Sequence, residues 1–316
     1  MLAEAELQPF HGPELPIRHR RPKGEMNEHR SSLIQLNSAV LLWGGTCLFA
    51  KWVQLPAFQI SGVRAWIAAA VMVLAMGLRR QSLAAGNRRD AWMMIGIGVA
   101  LAAHWITYFH AIQISTVAIG ILALHTYPVL TAVVEPLVFR ESVRVLDLVL
   151  AFVVLVGVAV LVPEYSLDSS VTRGILWGIL SAVFFTIRNL LSRHLVRRHP
   201  SSRIMTYQFV TVAVLLLPFV LSRGEPMTRA AWIQVVVLGI AFTALPQTLF
   251  TSSMRHLTAR TVSVIATLLP IYGAMLAAMF LNEIPAPRTV LGGGIIIAAV
   301  FLDTWRAVQG PKANKS

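Results

Sequence analysis

The chain has 316 residues, of which 56% are hydrophobic and only 13% are charged, and its mean hydropathy is +0.67. Soluble domains carry about a quarter charged residues, so this composition excludes an ordinary soluble fold and indicates a membrane protein. The formal net charge of +13 is also typical of nucleic-acid-binding proteins, but the positions of the basic residues, given below, indicate orientation in a lipid bilayer and no nucleic-acid partner.

The first 32 residues are polar and rich in Pro, His and Arg, with no apolar stretch of signal-peptide length. We interpret residues 1–32 as a disordered cytoplasmic tail. The apolar region begins soon after Met26, so the sequence leaves open whether Met1 or Met26 is the true start. A second short tail, residues 306–316, ends the chain.

Ten apolar runs lie between the tails, and their lengths suit helices that cross a hydrocarbon core of about 30 Å at about 1.5 Å per residue. The first five predicted spans are Leu33–Val53, Phe58–Leu78, Ala91–Ile112, Val117–Phe139 and Leu146–Val162. The second five are Gly174–Leu195, Ile204–Leu221, Ala231–Ser252, Ala259–Leu281 and Val290–Trp305. The sequence therefore predicts an all-α membrane protein with ten transmembrane helices.

An internal duplication organises these runs. The segment from His125 to Pro128 is followed by Glu141, and a shift of 142 residues carries Pro128 onto Pro270 and Glu141 onto Glu283. Such internal repeats are typical of membrane carriers. We therefore divide the chain into two five-helix repeats, residues 33–163 and 174–305.

The distribution of basic residues predicts how the repeats are oriented. Five is an odd number of crossings, so the second repeat is inverted relative to the first. With a cytoplasmic N-terminus, twenty of the 27 Lys and Arg residues fall in inward segments and four in outward segments. The positive-inside rule therefore predicts a multi-pass protein of the cell inner (plasma) membrane with both termini cytoplasmic.

These features resemble the EamA family of the drug/metabolite transporter superfamily. The resemblance is carried by the two five-helix halves and by five short signatures: Trp43-Gly44-Gly45, Lys51, Arg64, Pro128…Glu141 and Pro270…Glu283. It implies a small-molecule carrier whose central cavity is lined by spans one to four and six to nine, with spans five and ten outside. Members of the family carry amino acids, sugars, nucleotide sugars and other metabolites, so the resemblance does not fix the substrate.

Ionisable groups inside the spans are candidates for the site, because each costs about 2.5–3.5 kcal/mol to insert and normally faces a cavity or a partner. We expect Glu135 and Arg188 to pair at an inner gate. Lys51 and Arg64 are expected to shape an outer vestibule that attracts anions. In the alternative interpretation, Lys51 and Arg188 extend to the membrane surface, while Arg64 and Glu135 have buried structural or gating roles.

Polar and aromatic side chains on the third and fourth spans predict one wall of the cavity. They recur at helical spacing, at His104, Trp105, Tyr108, His125, Tyr127 and Thr131. The matching positions of the second repeat are mostly apolar or neutral, with Gln247 in the place of Trp105. Such a cavity suits a small amphipathic or aromatic molecule, and the histidines are candidates for a coupling proton. The alternative is aromatic packing with hydrogen bonds between helices.

Two backbone features remain open at this stage. Pro128, Pro246 and Pro270 predict bends, which are either hinges or static kinks. The run Gly292-Gly293-Gly294 predicts close helix approach, either within the chain or in a homodimer.

Motifs for chemistry are missing. The sequence contains no Gly-x-x-x-x-Gly-Lys-Ser/Thr phosphate loop and no His-Glu-x-x-His zinc motif, and Cys47 has no neighbouring base. We therefore expect no catalytic residue, no metal and no cofactor. The expected function is secondary transport, most simply efflux of a small metabolite or amino acid by alternating access between the repeats. An intramembrane enzyme and a passive channel are the alternatives.

Overall fold

The computed structural model describes residues 23–139, 145–164, 166–196, 198–253, 257 and 259–309. Glu141 and most of both predicted tails lie outside these ranges. The regular structure within them is helical, and eight helical stretches are long and apolar enough to cross a membrane. Two shorter apolar helices complete the ten predicted spans, which confirms the fold class.

The first half contains six helices. They are α1 (Lys23–Trp52), α2 (Ala57–Leu78), α3 (Arg88–Ile114), α4 (Val117–Leu124), α5 (Tyr127–Phe139) and α6 (Val145–Leu161). The first helix begins at Lys23 and not at the predicted Leu33, so the end of the predicted tail is helical. Polar caps start two of the others, because the side chains of Asn87 and Thr116 accept hydrogen bonds from the backbone of α3 and α4.

The second half repeats this order. It comprises α7 (Ser170–Leu195), α8 (Ser201–Arg223), α9 (Arg229–Gly239), a π-helical segment (Ile240–Ala244), α10 (Leu245–Ser253), α11 (Ala259–Ala266), α12 (Leu269–Leu281) and α13 (Pro287–Gln309). Spans four and nine are therefore each divided into two helices, at residues 125–126 and 267–268.

The prolines account for these interruptions. Pro128 and Pro270 each occupy the second position of a helix, where a missing N–H is tolerated. Pro246 follows the π-helical segment and cannot donate to the carbonyl of Phe242. That carbonyl instead accepts a hydrogen bond from Thr46 Oγ1 at 3.1 Å, so α1 satisfies the backbone group that the proline leaves free.

Helix pairing reveals the relation between the halves. α1 packs on α10 and α12, and α7 packs correspondingly on α3 and α5. α2 packs on α8, and α6 packs on α13. Exchanging each helix for its counterpart in the other half leaves this set of pairs unchanged. The pairing thus relates the halves as two repeats, which are inverted because each has five spans, and their last helices, α6 and α13, pack on each other as a separate layer.

Glycines allow the α6–α13 contact. A Cβ atom added at Gly292 would lie 2.7 Å from the carbonyl oxygen of Gly157, and one added at Gly293 would lie 2.7 Å from a methyl carbon of Leu122. A Cβ at Gly294 would meet no atom within 4 Å. Two of the three glycines therefore serve packing within the chain.

Two names are used below for the ends of the helices. The distal face contains the ends of α1 (Trp52), α3 (Ile114) and α12 (Leu281). The termini face contains the end of α2 (Leu78) and the start of α8 (Ser201).

Candidate functional site

An ion pair joins the two halves at the distal face. Lys51 Nζ lies 3.7 Å from Glu283 Oε1 and donates to the backbone oxygen of Ser115 at 2.6 Å. Glu283 Oε2 accepts from the backbone N–H of Val117 at 2.8 Å. The cation thus meets the carbonyl end of α3, and the anion meets the amino end of α4, as helix dipoles favour. We call this arrangement of Lys51, Glu283 and the α3–α4 turn the distal latch.

A second contact between the halves lies beside the latch. The side chain of Gln59, which is 2% exposed, donates to the backbone oxygen of Glu225 and accepts from its N–H, both at 2.7 Å. A shallow cavity of about 390 Å³ opens here, and Lys51, Gln113 and Glu225 line it. Because its one lysine is paired with Glu283, this cavity is not the cationic vestibule that the sequence predicted.

Arg64 lies apart from that cavity. Its side chain is 2% exposed, and the guanidinium carbon lies 3.6 Å from the ring centroid of Trp105 and 4.4 Å from that of Phe109. The sequence placed Lys51 and Arg64 in one outer vestibule, and the structure separates them. The burial of Arg64 instead agrees with the alternative interpretation.

The predicted polar-aromatic wall is a continuous row of rings. His104 stacks on Tyr108 and contacts Phe185, with ring centroids 5.8 and 4.7 Å apart. Tyr127 meets the other side of Phe185 at 4.6 Å and contacts His125 at 5.9 Å. The row joins α3, α7, α5 and the break in span four. We call these five residues the aromatic layer.

Hydrogen bonds fix both histidines of this layer. His104 Nδ1 and Ser181 Oγ are 2.7 Å apart, while the serine hydroxyl donates to the backbone oxygen of His104 at 3.0 Å. His125 Nδ1 lies 2.8 Å from the backbone oxygen of Ile121, one turn earlier. These contacts match the packing alternative, and a role in proton coupling stays a prediction.

The aromatic layer continues into a hydroxyl cluster. Thr131 and Thr186 both donate to the backbone oxygen of Tyr127, at 2.8 and 3.3 Å. Glu135 follows Thr131 by one turn of α5 and is half-buried. The cluster thus links the first half to the second through α5 and α7.

A larger cavity opens at the termini face between α2, α8 and α10. Its volume is about 440 Å³, and both halves line it, through Met72, Ala75, Met76, Arg79, Gln81, Ser202, Met205, Gln247, Thr248 and Ser252. The predicted site residue Gln247 is thus placed on a cavity wall. Beside this cavity the halves are also in contact, since Ser202 Oγ donates to Gln81 Oε1 at 2.9 Å, whereas at the distal face the ion pair of Lys51 and Glu283 joins them.

Comparison with known proteins identifies the family of this chain. The profile of the EamA-like transporter family matches residues 31–162 and 172–304, one match in each half. The chain belongs to this family. Curated relatives of the EamA-like protein include the uncharacterized transporter YxxF of Bacillus subtilis strain 168, 26% identical over 93% of this chain and 95% of the relative. Another is the pseudopaline exporter CntI of Pseudomonas aeruginosa strain UCBPP-PA14, 27% identical over 78% of this chain and 85% of the relative.

A solved crystal structure has the same fold as this EamA-like transporter. The two superpose with a TM-score of 0.62 at 20% sequence identity, covering 89% of this chain and 98% of the other. The fold of two inverted repeats is therefore shared with an experimentally determined protein.

Arg188 lies between the aromatic layer and the termini-face cavity. Its Nε donates to Gln208 Oε1 at 2.8 Å and its Nη1 to Asn189 Oδ1 at 3.2 Å, while Nη2 lies 3.7 Å from the sulfur of Met205. These partners are neutral. The pairing of Arg188 with Glu135 stays a prediction.

Sequence reasoning missed several contacts between distant residues of the EamA-like transporter. Cys47 lies 3.0 Å from the hydroxyl of Tyr108, and Asp90 Oδ2 lies 2.8 Å from His199 Nε2 at the termini face. Gln59 and Asp90 carried a usable signal, since each is a polar residue at or within an apolar span. Their partners lie more than 100 residues away, and nothing in the local sequence identifies them.

Proposed function

We propose that this EamA-like transporter is a secondary carrier that exports a small metabolite or amino acid by alternating access. The protein would lie in the cell inner membrane with both termini cytoplasmic, as the basic residues predict. The observation that carries the proposal is the contrast between the faces. Lys51 and Glu283 join the halves at the distal face, and a cavity lined by both halves opens at the termini face beside polar contacts such as Asp90–His199.

Such a contrast is what one state of an alternating-access carrier requires. The state that opens the distal face has to break the distal latch and close the termini-face cavity. A partly exposed ion pair stabilises a structure by about 1 kcal/mol or less, so the latch would favour the state with a closed distal face and still allow that face to open. Export as the direction is supported by the relative named as a pseudopaline exporter.

Cys47 provides a direct test that needs no knowledge of the substrate. It is the only cysteine of the chain, is 1% exposed and lies one turn before Lys51 on α1, against Gly273 of α12. Separation of α1 from α12 at the distal face would expose it. We expect E283Q to raise the rate at which a maleimide labels Cys47, by about fivefold if the latch contributes about 1 kcal/mol.

The matched control is E225Q. Glu225 is an acidic residue of the same face whose described hydrogen bonds use its backbone atoms only. Labelling that is equal in wild type, E283Q and E225Q would count against an opening at the distal face.

Transport itself separates the carrier from its rivals. In proteoliposomes, a carrier gives flux that saturates with substrate and slows when the distal latch is cross-linked. A passive channel gives flux that does not saturate, and an intramembrane enzyme turns over substrate in detergent without a gradient.

A further inference from the structure

Two arginines inside the spans, Arg64 and Arg188, have no carboxylate within ion-pair distance among the described residues. We infer that these two guanidinium groups bind the acid group of the transported molecule, so that the substrate class is an organic anion bearing a carboxylate. This inference rests on the proposed carrier function and names the substrate class of that carrier.

The surroundings of Arg64 leave its charge uncompensated. The two aromatic faces of Trp105 and Phe109 attract the cation, but neither supplies a hydrogen-bond acceptor in the ring plane of the guanidinium. The Nε atom is buried without a hydrogen-bond partner in the part of the chain that the structure describes. A buried arginine with an unmet Nε donor is costly unless a ligand provides an acceptor, and a carboxylate matches the geometry of a guanidinium group.

Arg188 stands closer to the route that a substrate would take. Its Nη2 lies 3.7 Å from the sulfur of Met205, and Met205 lines the termini-face cavity. A thioether is a weak acceptor, so a carboxylate oxygen that replaced it would form a stronger, charge-assisted bond. A molecule that enters from this cavity and passes Met205 would therefore reach Arg188 before Arg64.

The aromatic layer connects the two cations. Phe185 lies 5.4 Å from the guanidinium carbon of Arg188 and 4.7 Å from the ring of His104. The guanidinium group of Arg64 lies over the ring of Trp105, the residue that follows His104. Arg64 lies seven residues after the start of α2 at the distal face, whereas Arg188 lies seven residues before the end of α7 at the termini face. One of the two cations therefore lies toward each face, and each is available to an acid group.

Neither arginine belongs to the repeated pattern of the fold. The shift of 142 residues places Thr206 in the position of Arg64, and Thr46 in that of Arg188. A cation needed to build a five-helix repeat would be expected in both copies. The asymmetry therefore favours a role in binding over one in assembly.

The first experiment identifies what the protein moves. Culture media are profiled for metabolites from cells that express wild type, R64Q, R188Q, R64K, R188K or no transporter. We expect the compounds that depend on wild type to carry a carboxylate, and their export to fall about tenfold or more in R64Q and R188Q. The Lys variants keep the charge but lose the paired donors, so we expect them to retain part of the export.

R223Q is the matched control, because Arg223 is an exposed arginine at the end of α8. We expect export by R223Q to equal that of wild type. Protein amount and melting temperature in detergent are compared for every variant. If a Gln variant does not fold, the comparison is made between wild type and the corresponding Lys variant, and between the exported compound and its amide in proteoliposomes.

Three results would overturn the inference. The first is export of cations or neutral molecules without an acid group, which leaves the carrier function intact. The second is equal transport of the acid and its amide. The third is rescue of R188E by E135R, which would assign Arg188 to an ion pair with Glu135.

If no exported compound is found, the result counts against the carrier function. A binding measurement on the purified protein then tests the anion site by itself. The purified protein is melted with 3-phenylpropionate and benzoate and with their amides. Stabilisation by either acid but not by its amide, lost in R188Q and kept in R223Q, would support the anion site. No preference for the acids would reject it.

Discussion

The distal face and the termini face differ in how the two halves meet. At the distal face, Lys51 of α1 and Glu283 after α12 close the gap with an ion pair that also caps α4. At the termini face, a cavity of about 440 Å³ opens between α2, α8 and α10, while Asp90 of α3 still contacts His199 of the second half. In a protein made of two inverted repeats, the sequence pattern is nearly symmetric while one observed state is not. Polar contacts join the halves at both faces, so the difference between the faces is the ion pair at one and the cavity at the other.

Cross-linking the distal face should have the largest effect. In a C47S background, the K51C/E283C pair is joined by a short bis-maleimide, which prevents α1 from leaving α12. We expect transport in proteoliposomes to be abolished, because the distal face can no longer open. The single variants treated with the same reagent are the controls. Transport that persists after complete cross-linking would contradict a moving distal face.

The contact between α6 and α13 provides a contrast in stability. G292A places a Cβ atom 2.7 Å from the carbonyl oxygen of Gly157, a backbone atom that cannot give way cheaply. We expect a loss of about 1–3 kcal/mol, seen as a lower melting temperature in detergent, with maleimide labelling of Cys47 unchanged in the folded protein.

G294A is the matched control, since its Cβ meets no atom within 4 Å. Equal melting temperatures for G292A and G294A would show that the close contact between α6 and α13 does not limit stability. A change in Cys47 labelling with G292A would mean that this layer takes part in opening.

A double-mutant cycle measures the distal latch itself. We expect K51M and E283Q each to raise labelling of Cys47, and the double variant to equal either single variant and not their product. The coupling expected for a partly exposed pair is about 1 kcal/mol or less. Independent, multiplicative effects would mean that Lys51 and Glu283 act separately, for example through the ends of α3 and α4.

The smallest effect is expected at the termini face. Asp90, at the start of α3, contacts His199 of the second half at 2.8 Å, so D90N weakens a link between the halves on the side opposite the latch. We expect Cys47 labelling to rise by at most about twofold, in the same direction as E283Q, since this contact is present in the same state as the distal latch and its loss destabilises that state. D147N, at the start of α6, is the control. A fall in labelling with D90N would mean that the contact of Asp90 with His199 is stronger in the state that opens the distal face.

Much of the fold was predictable because the signals are local or periodic. Ten apolar runs, the shift that carries Pro128 onto Pro270 and the odd number of spans per half are together enough to predict inverted repeats. The same shift carries Lys51 onto Arg193 and Glu283 onto Glu141, which lies outside the described residues. Each repeat therefore contains a basic residue and a glutamate at the corresponding positions, although only the structure identifies Lys51 and Glu283 as partners.

The site was predicted less completely. The polar-aromatic candidates do come together, but Phe185 and Ser181 of α7, which join them, look like ordinary residues of an apolar helix. The vestibule shared by Lys51 and Arg64 failed because depth along a helix says nothing of direction around it. Lys51 faces α12, whereas Arg64 faces Trp105 of α3.

The sequence by itself determined that this protein crosses a membrane ten times as two inverted repeats, because hydrophobic length and repeat spacing are properties of the chain alone. Only the tertiary structure decided which charges are paired and which arginines have no carboxylate within ion-pair distance among the described residues. Those outcomes depend on contacts between residues far apart in the chain, and the energies that select them are small differences between similar packings.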